Sequence, residues 1–192
     1  LRLVPTALLV ALCAASMPQQ ADAFVRTQTC GGSSPFACEP GEAPQFVQWP
    51  SSCVRYHLNP NPGEDLNADE YEAAIRESFD IWNKVDCSEL SLIYGGETDD
   101  DRIGFVQGAE NANVIAIRDD VWRHQRAVLA LTSVTFNALN GNIADADIEI
   151  NDVNFRLTVD DDDVSIDIIN TMVHEAGHFF GLDHSQDDEA TM

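Results

Sequence analysis

The chain has 192 residues, 44% of them apolar, which is enough for one domain with a core of its own. It carries 33 acidic against 10 basic residues, a formal net charge of −23, with Lys84 its single lysine. Such a balance offers no basic patch for nucleic acid or for an anionic membrane, and it suits a soluble protein in a salty or calcium-containing medium.

Residues 1–23 read as a targeting segment. Arg2 supplies a positive start, Leu8 to Ala15 are apolar, and Ala21-Asp22-Ala23 is an A-x-A cleavage signature. The apolar run is too short for stable membrane insertion, so the expectation is a signal peptide cleaved after Ala23 and a secreted, extracellular chain. The first residue is Leu1 rather than methionine, which suggests an alternative or missing start. Loss of the signal removes Cys13 and leaves Cys30, Cys38, Cys53 and Cys87, an even number in an oxidising compartment. Four cysteines allow three connectivities. Local pairing favours Cys30 with Cys38, closing a loop through Gly31, Gly32 and Pro35. Cys53 would then join Cys87, tying the first strand to the end of the first helix.

Residues 24–50, rich in Gly, Ser, Pro and Gln, show no sustained period and are expected to be an irregular lead-in to a domain over 51–192. Val54, Tyr56 and Leu58 alternate with Arg55 and His57, a half-buried strand from Cys53 to Leu58. Asn67 begins a helix, with Glu70 as its capping-box partner and Leu66 placed against Tyr71. Tyr71, Ile75, Phe79 and Trp82 give that helix an apolar stripe. A second strand is expected over Leu90–Tyr94, ended by Gly95-Gly96, and a third over Asn113–Arg118, with an acidic loop at Asp99–Asp101 between them. Ala127–Phe136 and Ile143–Ile150, separated by a turn at Asn140-Gly141, read as two further strands. The acidic run Asp160–Asp163 then stands where a helix start favours negative charge. Ile166, Ile169, Met172, Val173 and Ala176 supply the buried face of that last helix.

The last helix leads into HEAGHFFGLDH at residues 174–184. His174 and His178 are four apart, so both imidazoles leave one helix face and can grip one metal ion. Glu175 lies beside that ion. Gly181, lacking a β-carbon, can end the helix in a left-handed turn that brings His184 round as a third nitrogen. Three protein ligands with a fourth position open is the pattern of a catalytic zinc. His57 and His124, the other two histidines, are scattered.

HEAGHFFGLDHS followed by Met192 resembles the metzincin zinc proteases, and among them the matrixins, the matrix-metalloprotease-like family, in a secreted bacterial-type form. Ser185 directly after the third histidine and Met192 eight residues beyond it are the details that favour matrixins. The resemblance implies an α+β zincin fold: a twisted, mostly parallel five-stranded sheet with an antiparallel edge strand, and long helices, one of which carries HExxHxxGxxH. It implies a zinc-dependent endopeptidase with one catalytic ion on His174, His178 and His184. A zinc-activated water would attack the peptide bond with Glu175 as general base, and Met192 would form an apolar floor at the Met-turn. A protein or peptide substrate would lie extended along the edge strand around Leu129–Phe136. The family normally runs on past Met192, so the catalytic domain 51–192 is expected to be incomplete at its C-terminus. No PRCGxPD-like segment stands in the lead-in, and the histidines needed for a second, structural zinc are lacking. Asp145, Asp147 and Asn151 lie near where the family can bind calcium, and either do so or are simply solvated. The expected partners are substrate alone, with no nucleic acid, for a monomer. Two other readings are a thermolysin-like protease, whose third ligand would be a later glutamate, and a non-catalytic zinc-containing adhesion or binding module. The presence of Glu175 argues against the latter, because a structural ion needs no base.

Overall fold

The computed structural model describes residues 25–32, 34, 36–86, 88–159, 166–187 and 190–192. The expected targeting segment, Cys87 and the run Asp160–Asp163 lie outside these. In chain order the elements are β1 (Val25–Arg26), β2 (Cys53–Leu58), α1 (Ala68–Asn83), β3 (Ser91–Glu97), β4 (Val114–Arg118), β5 (Ala130–Phe136), β6 (Ile143–Asn151), β7 (Leu157–Thr158), β8 (Ile166–Asp167), α2 (Ile168–Phe179) and β9 (Leu182–Asp183).

Five strands form one sheet in the order β3-β2-β4-β6-β5. All pairings are parallel except that of β5 with β6, which puts an antiparallel strand at the edge, as expected. In β2 the alternation holds, with Val54, Tyr56 and Leu58 buried and Cys53 and Arg55 exposed. His57 is half-buried rather than exposed, because Gly95 of β3 makes room for its ring: a β-carbon at Gly95 would fall 2.6 Å from Nε2. Consequently β3 does not stop at Gly95-Gly96. It runs through both to Glu97, and the β2–β3 register slips opposite them, between Tyr56 and Leu58.

The start of α1 is fixed by its capping box. Glu70 N donates to Asn67 Oδ1 and Asn67 N to Glu70 Oε2, each at 3.0 Å. Tyr71, Ile75 and Phe79 are buried, and Trp82 Nε1 donates to Val173 O at 2.8 Å, tying the end of α1 to α2. Phe79 stacks on Tyr56 of the sheet at 4.0 Å and meets Phe179 of α2 edge-on at 5.4 Å. This aromatic column joins both helices to one face of the sheet.

Strand β5 begins at Ala130 rather than Ala127, since a turn from Gln125 to Val128 precedes it. Along β6, Ala146, Ile148 and Ile150 face the helices. Asp145, Asp147 and Glu149 point the other way and are not solvated. Asp145 and Asp147 are each 1% exposed. Gly104 N and Val114 N donate to Asp147 at 2.6 and 2.7 Å, while Arg118 Nε and His124 Nε2 meet Glu149 at 2.8 and 2.9 Å. The loops between β3 and β4 and between β4 and β5 therefore cover the second face, so the central strands are buried on both sides.

Asp145 Oδ2 is buried without a partner. Burial, reinforced by the neighbouring Asp147, pushes the Asp145 carboxyl up to about 7 from 3.8. The folded chain thus keeps a proton that the unfolded chain loses near pH 4. The contribution of this group to stability is complete below about pH 4, falls as pH rises and reaches its minimum above about pH 7. In calcium-free buffer, denaturant unfolding at pH 5 and pH 8 is expected to show a drop in stability that Asp145→Asn reduces. An equal drop in the variant would contradict this account.

The last helix starts later than its apolar face suggested. Ile166 and Asp167 form β8, paired with β7, and Asp167 is the N-cap, its side chain accepting from Ile169 N and Asn170 N. One short carboxylate satisfies the first turn. Ile168, Met172, Ala176 and Phe179 form the buried face. No helix among the described residues is long and apolar enough to cross a membrane.

Candidate metal centre and substrate cleft

The ligand spacing sets the geometry. One turn of α2 separates His174 from His178, and the helix ends at Phe180, where Gly181 takes φ +88°. A β-carbon there would also press within 2.6 Å of Val47 O, so glycine is required twice over. The chain then reverses through β9 and delivers His184. Ligand atoms of His174, His178 and His184 lie within 4.8 Å of one another. Nitrogens held about 2.0–2.1 Å from one zinc ion would stand somewhat closer together than that.

The donor set suits a cation. His174 Nδ1 lies 2.6 Å from Thr191 O and His178 Nδ1 3.0 Å from Leu182 O. A carbonyl can only accept, so both Nδ1 atoms carry the proton and both Nε2 atoms present a lone pair. His184 Nε2 sits 3.0 Å from His174 Nε2. Burial holds His178 below its usual range, favouring the neutral form that a metal ligand needs. Among the described residues this is the one group of three His, Cys, Asp or Glu side chains that converges in this way.

Glu175 is 7% exposed and borders the same cavity as the three histidines. Thr132 of β5 donates its hydroxyl to Glu175 Oε2 at 2.5 Å and lies 3.0 Å from Glu175 O. Nothing in the sequence singles out Thr132, a β-branched residue in a run that reads only as strand. Met192 is buried under α2 against Gly177, where any β-carbon would collide with its thioether. The cavity, about 460 Å³, is bounded on one side by Ala130, Leu131, Thr132 and Val134 of the edge strand and on the other by Leu182 and Asp183.

The remaining expected site residues are spread out. Cys30 and Cys38 form a disulfide. Cys53 is exposed at the start of β2, unbonded among the described residues, which do not include its expected partner Cys87. His124 is bound to Glu149, and His57 packs on Gly95. Asn151 donates to Val128 O and accepts from Asn154. The lead-in, expected to be irregular, forms short pairings: β1 lies antiparallel to β9, and Gln28 and Gln48 form bridges to Phe46 and Asn142.

Residues 48–192 match the family model described as Matrixin. The chain belongs to the matrixin family. The match takes in all three histidines, Glu175 and Met192, and a zincin-type fold follows from it. This matrixin is 29% identical over 164 residues to a Caenorhabditis elegans protein named matrix metalloproteinase-C, an alignment covering 85% of the present chain and 26% of that protein. The chain thus spans about a quarter of the length of the curated relative it matches. Family membership carries a general expectation of zinc metalloprotease chemistry.

Proposed function

We propose that this matrixin is a secreted zinc endopeptidase in which His174, His178 and His184 hold the ion through Nε2 and Glu175 is the general base. The observation that carries the reading is the convergence of three histidine nitrogens beside a buried carboxylate at an open cavity. Zinc bound there supplies Lewis acidity, which lowers the pKa of water toward about 7 and stabilises negative charge on a carbonyl oxygen. Glu175 takes a proton from the attacking water and returns it to the leaving amine. Thr132 engages Oε2 and so fixes the carboxylate, leaving Oε1 as the oxygen that faces this transfer. Met192 fills the space beneath the ligand helix and coordinates nothing.

Substrate binds as an extended polypeptide. Among the described residues strand β5 ends the sheet, paired only with β6, so its outer edge offers backbone groups to another strand. Export after Ala23 accords with the Cys30–Cys38 disulfide, which belongs to an oxidising compartment. Cys53 and Cys87 complete the cysteine set as a second bridge, and the protein acts as a monomer on peptide or protein substrates.

The direct test is metal analysis of the full-length protein together with cleavage of casein or gelatin. The expected result is one zinc per chain and hydrolysis that a chelator abolishes and added zinc restores. Hydrolysis indifferent to chelation would overturn the reading. Within it, Thr132→Val removes the hydroxyl at nearly constant volume. A hydrogen bond to a charged group contributes about 1.5–3 kcal/mol, so turnover should fall roughly ten- to hundredfold while zinc content holds, and Thr132→Ser should recover most of it. Unchanged turnover in the valine variant would remove Thr132 from the site.

A further inference from the structure

Residues 25–47 precede the part of the chain that matches the matrixin family, yet they are fastened to the metal-binding loop. Val25 and Arg26 pair with Asp183 and Leu182, and Thr27 N donates to Gly181 O at 3.0 Å. A second strand-like stretch backs the first: Val47 N donates to Thr27 O at 2.9 Å and Thr29 N to Gln45 O at 2.9 Å. Thr29, Cys30 and Val47 are buried, and the Cys30–Cys38 disulfide closes the outer loop, within which Ser34 N donates to Gly31 O. Gly181 and Gly141 both lack the β-carbon that would strike the Phe46–Val47 backbone, so the body of the domain is shaped to receive this segment.

The docking has a consequence at the cleft. Thr27 and Ser34 line the same cavity as His174, Glu175, His178 and His184 and as Leu131, Thr132 and Val134 of the edge strand. A polypeptide laid along β5 would project side chains toward them. We propose that Thr27 and Ser34 are specificity-determining residues, and that the N-terminal segment is a wall of the substrate cleft limiting the size of the substrate side chain that faces it. Backbone pairing to β5 would accept any sequence, whereas a fixed wall discriminates by side chain. Two hydroxyl-bearing residues leave room for a compact side chain and turn away a bulky one once that room is filled. The proposal rests on the reading of the site as a peptidase, and its test separates the two.

The experiment uses full-length protein with Thr27→Trp, Ser34→Trp and, as a control on the same segment away from the cavity, Ala43→Trp. Each is assayed for zinc content and for kcat/KM on peptides in which one position at a time carries either alanine or a bulky residue. The expected result is that Thr27→Trp and Ser34→Trp keep zinc and raise the alanine-to-bulky ratio at least tenfold at one and the same substrate position, while Ala43→Trp leaves every ratio unchanged. Ratios unaltered by both cleft substitutions, or a uniform fall on all peptides, would overturn it. If the wild-type protein cleaves nothing, the peptidase reading fails. The wall is then judged from peptide binding by zinc-loaded Glu175→Gln protein with and without Thr27→Trp. Position-specific loss of affinity for bulky peptides supports the wall, and no binding or no discrimination refutes it.

Discussion

Glu175→Gln should leave the zinc content and the unfolding transition as they are and lower peptide hydrolysis by roughly two to four orders of magnitude, the usual share of general acid–base catalysis. The substitution keeps the length of the side chain and leaves His174 and His178, on either side along α2, untouched. An amide can still accept the Thr132 hydroxyl through its oxygen, so the geometry of the cleft persists and only the capacity to take a proton disappears. Stopped assays across a peptide library, with metal analysis on the same samples, provide the measurement. Full activity in the variant would mean that another group is the base. A loss of zinc in parallel with activity would mean that Glu175 holds the site together rather than acting in it.

His184→Ala should strip the ion or lower its affinity by more than the roughly hundredfold typical of losing a supporting hydrogen bond around a site. Two imidazoles one helical turn apart are a weak chelate, and the third nitrogen comes from a loop whose position depends on Gly181 and on pairing with β1. The half-buried His178 and the carbonyl-bound Nδ1 atoms of the helical pair stay in place in this variant, so the loss measures one ligand. Equilibrium dialysis against buffered zinc tests it. Undiminished binding, or two tightly held zinc ions in the wild type, would contradict the centre as drawn.

What was legible in the chain followed from locality. The three histidines are readable because their spacing is a property of one helix and one turn, and α1 because its capping box lies within four residues. That the sheet is mostly parallel with an antiparallel edge strand was legible through resemblance rather than through periodicity, since alternation marks a strand without naming its neighbour. The late starts of β5 and α2 have local causes, a turn and a cap, whereas the other failures concern partners distant in sequence. Gly95-Gly96 reads as a stop until His57 is laid across it. The solvent exposure expected for Asp145 and Asp147 fails because local pattern cannot show that Gly104 and Val114, more than thirty residues away, bond to Asp147 and help to bury the pair. Thr132 and Thr27 carry no signal of their own, since each acquires its role by facing a helix or a loop supplied by another part of the chain.

The joining of β1 to β9 also bears on how the molecule comes into being. Trp49 binds the carbonyl of Phe179 across 130 residues of sequence, and β1 reaches still further to the loop of the third ligand. Contacts of such separation form late, because the intervening chain must first be gathered at a large cost in loop entropy. During synthesis the early residues wait for a partner that has not yet been made. The cleft is expected to be assembled after the sheet and both helices. A peptidase centre of the kind proposed, closing only at the end of folding, would give the nascent chain little opportunity to digest itself or its neighbours.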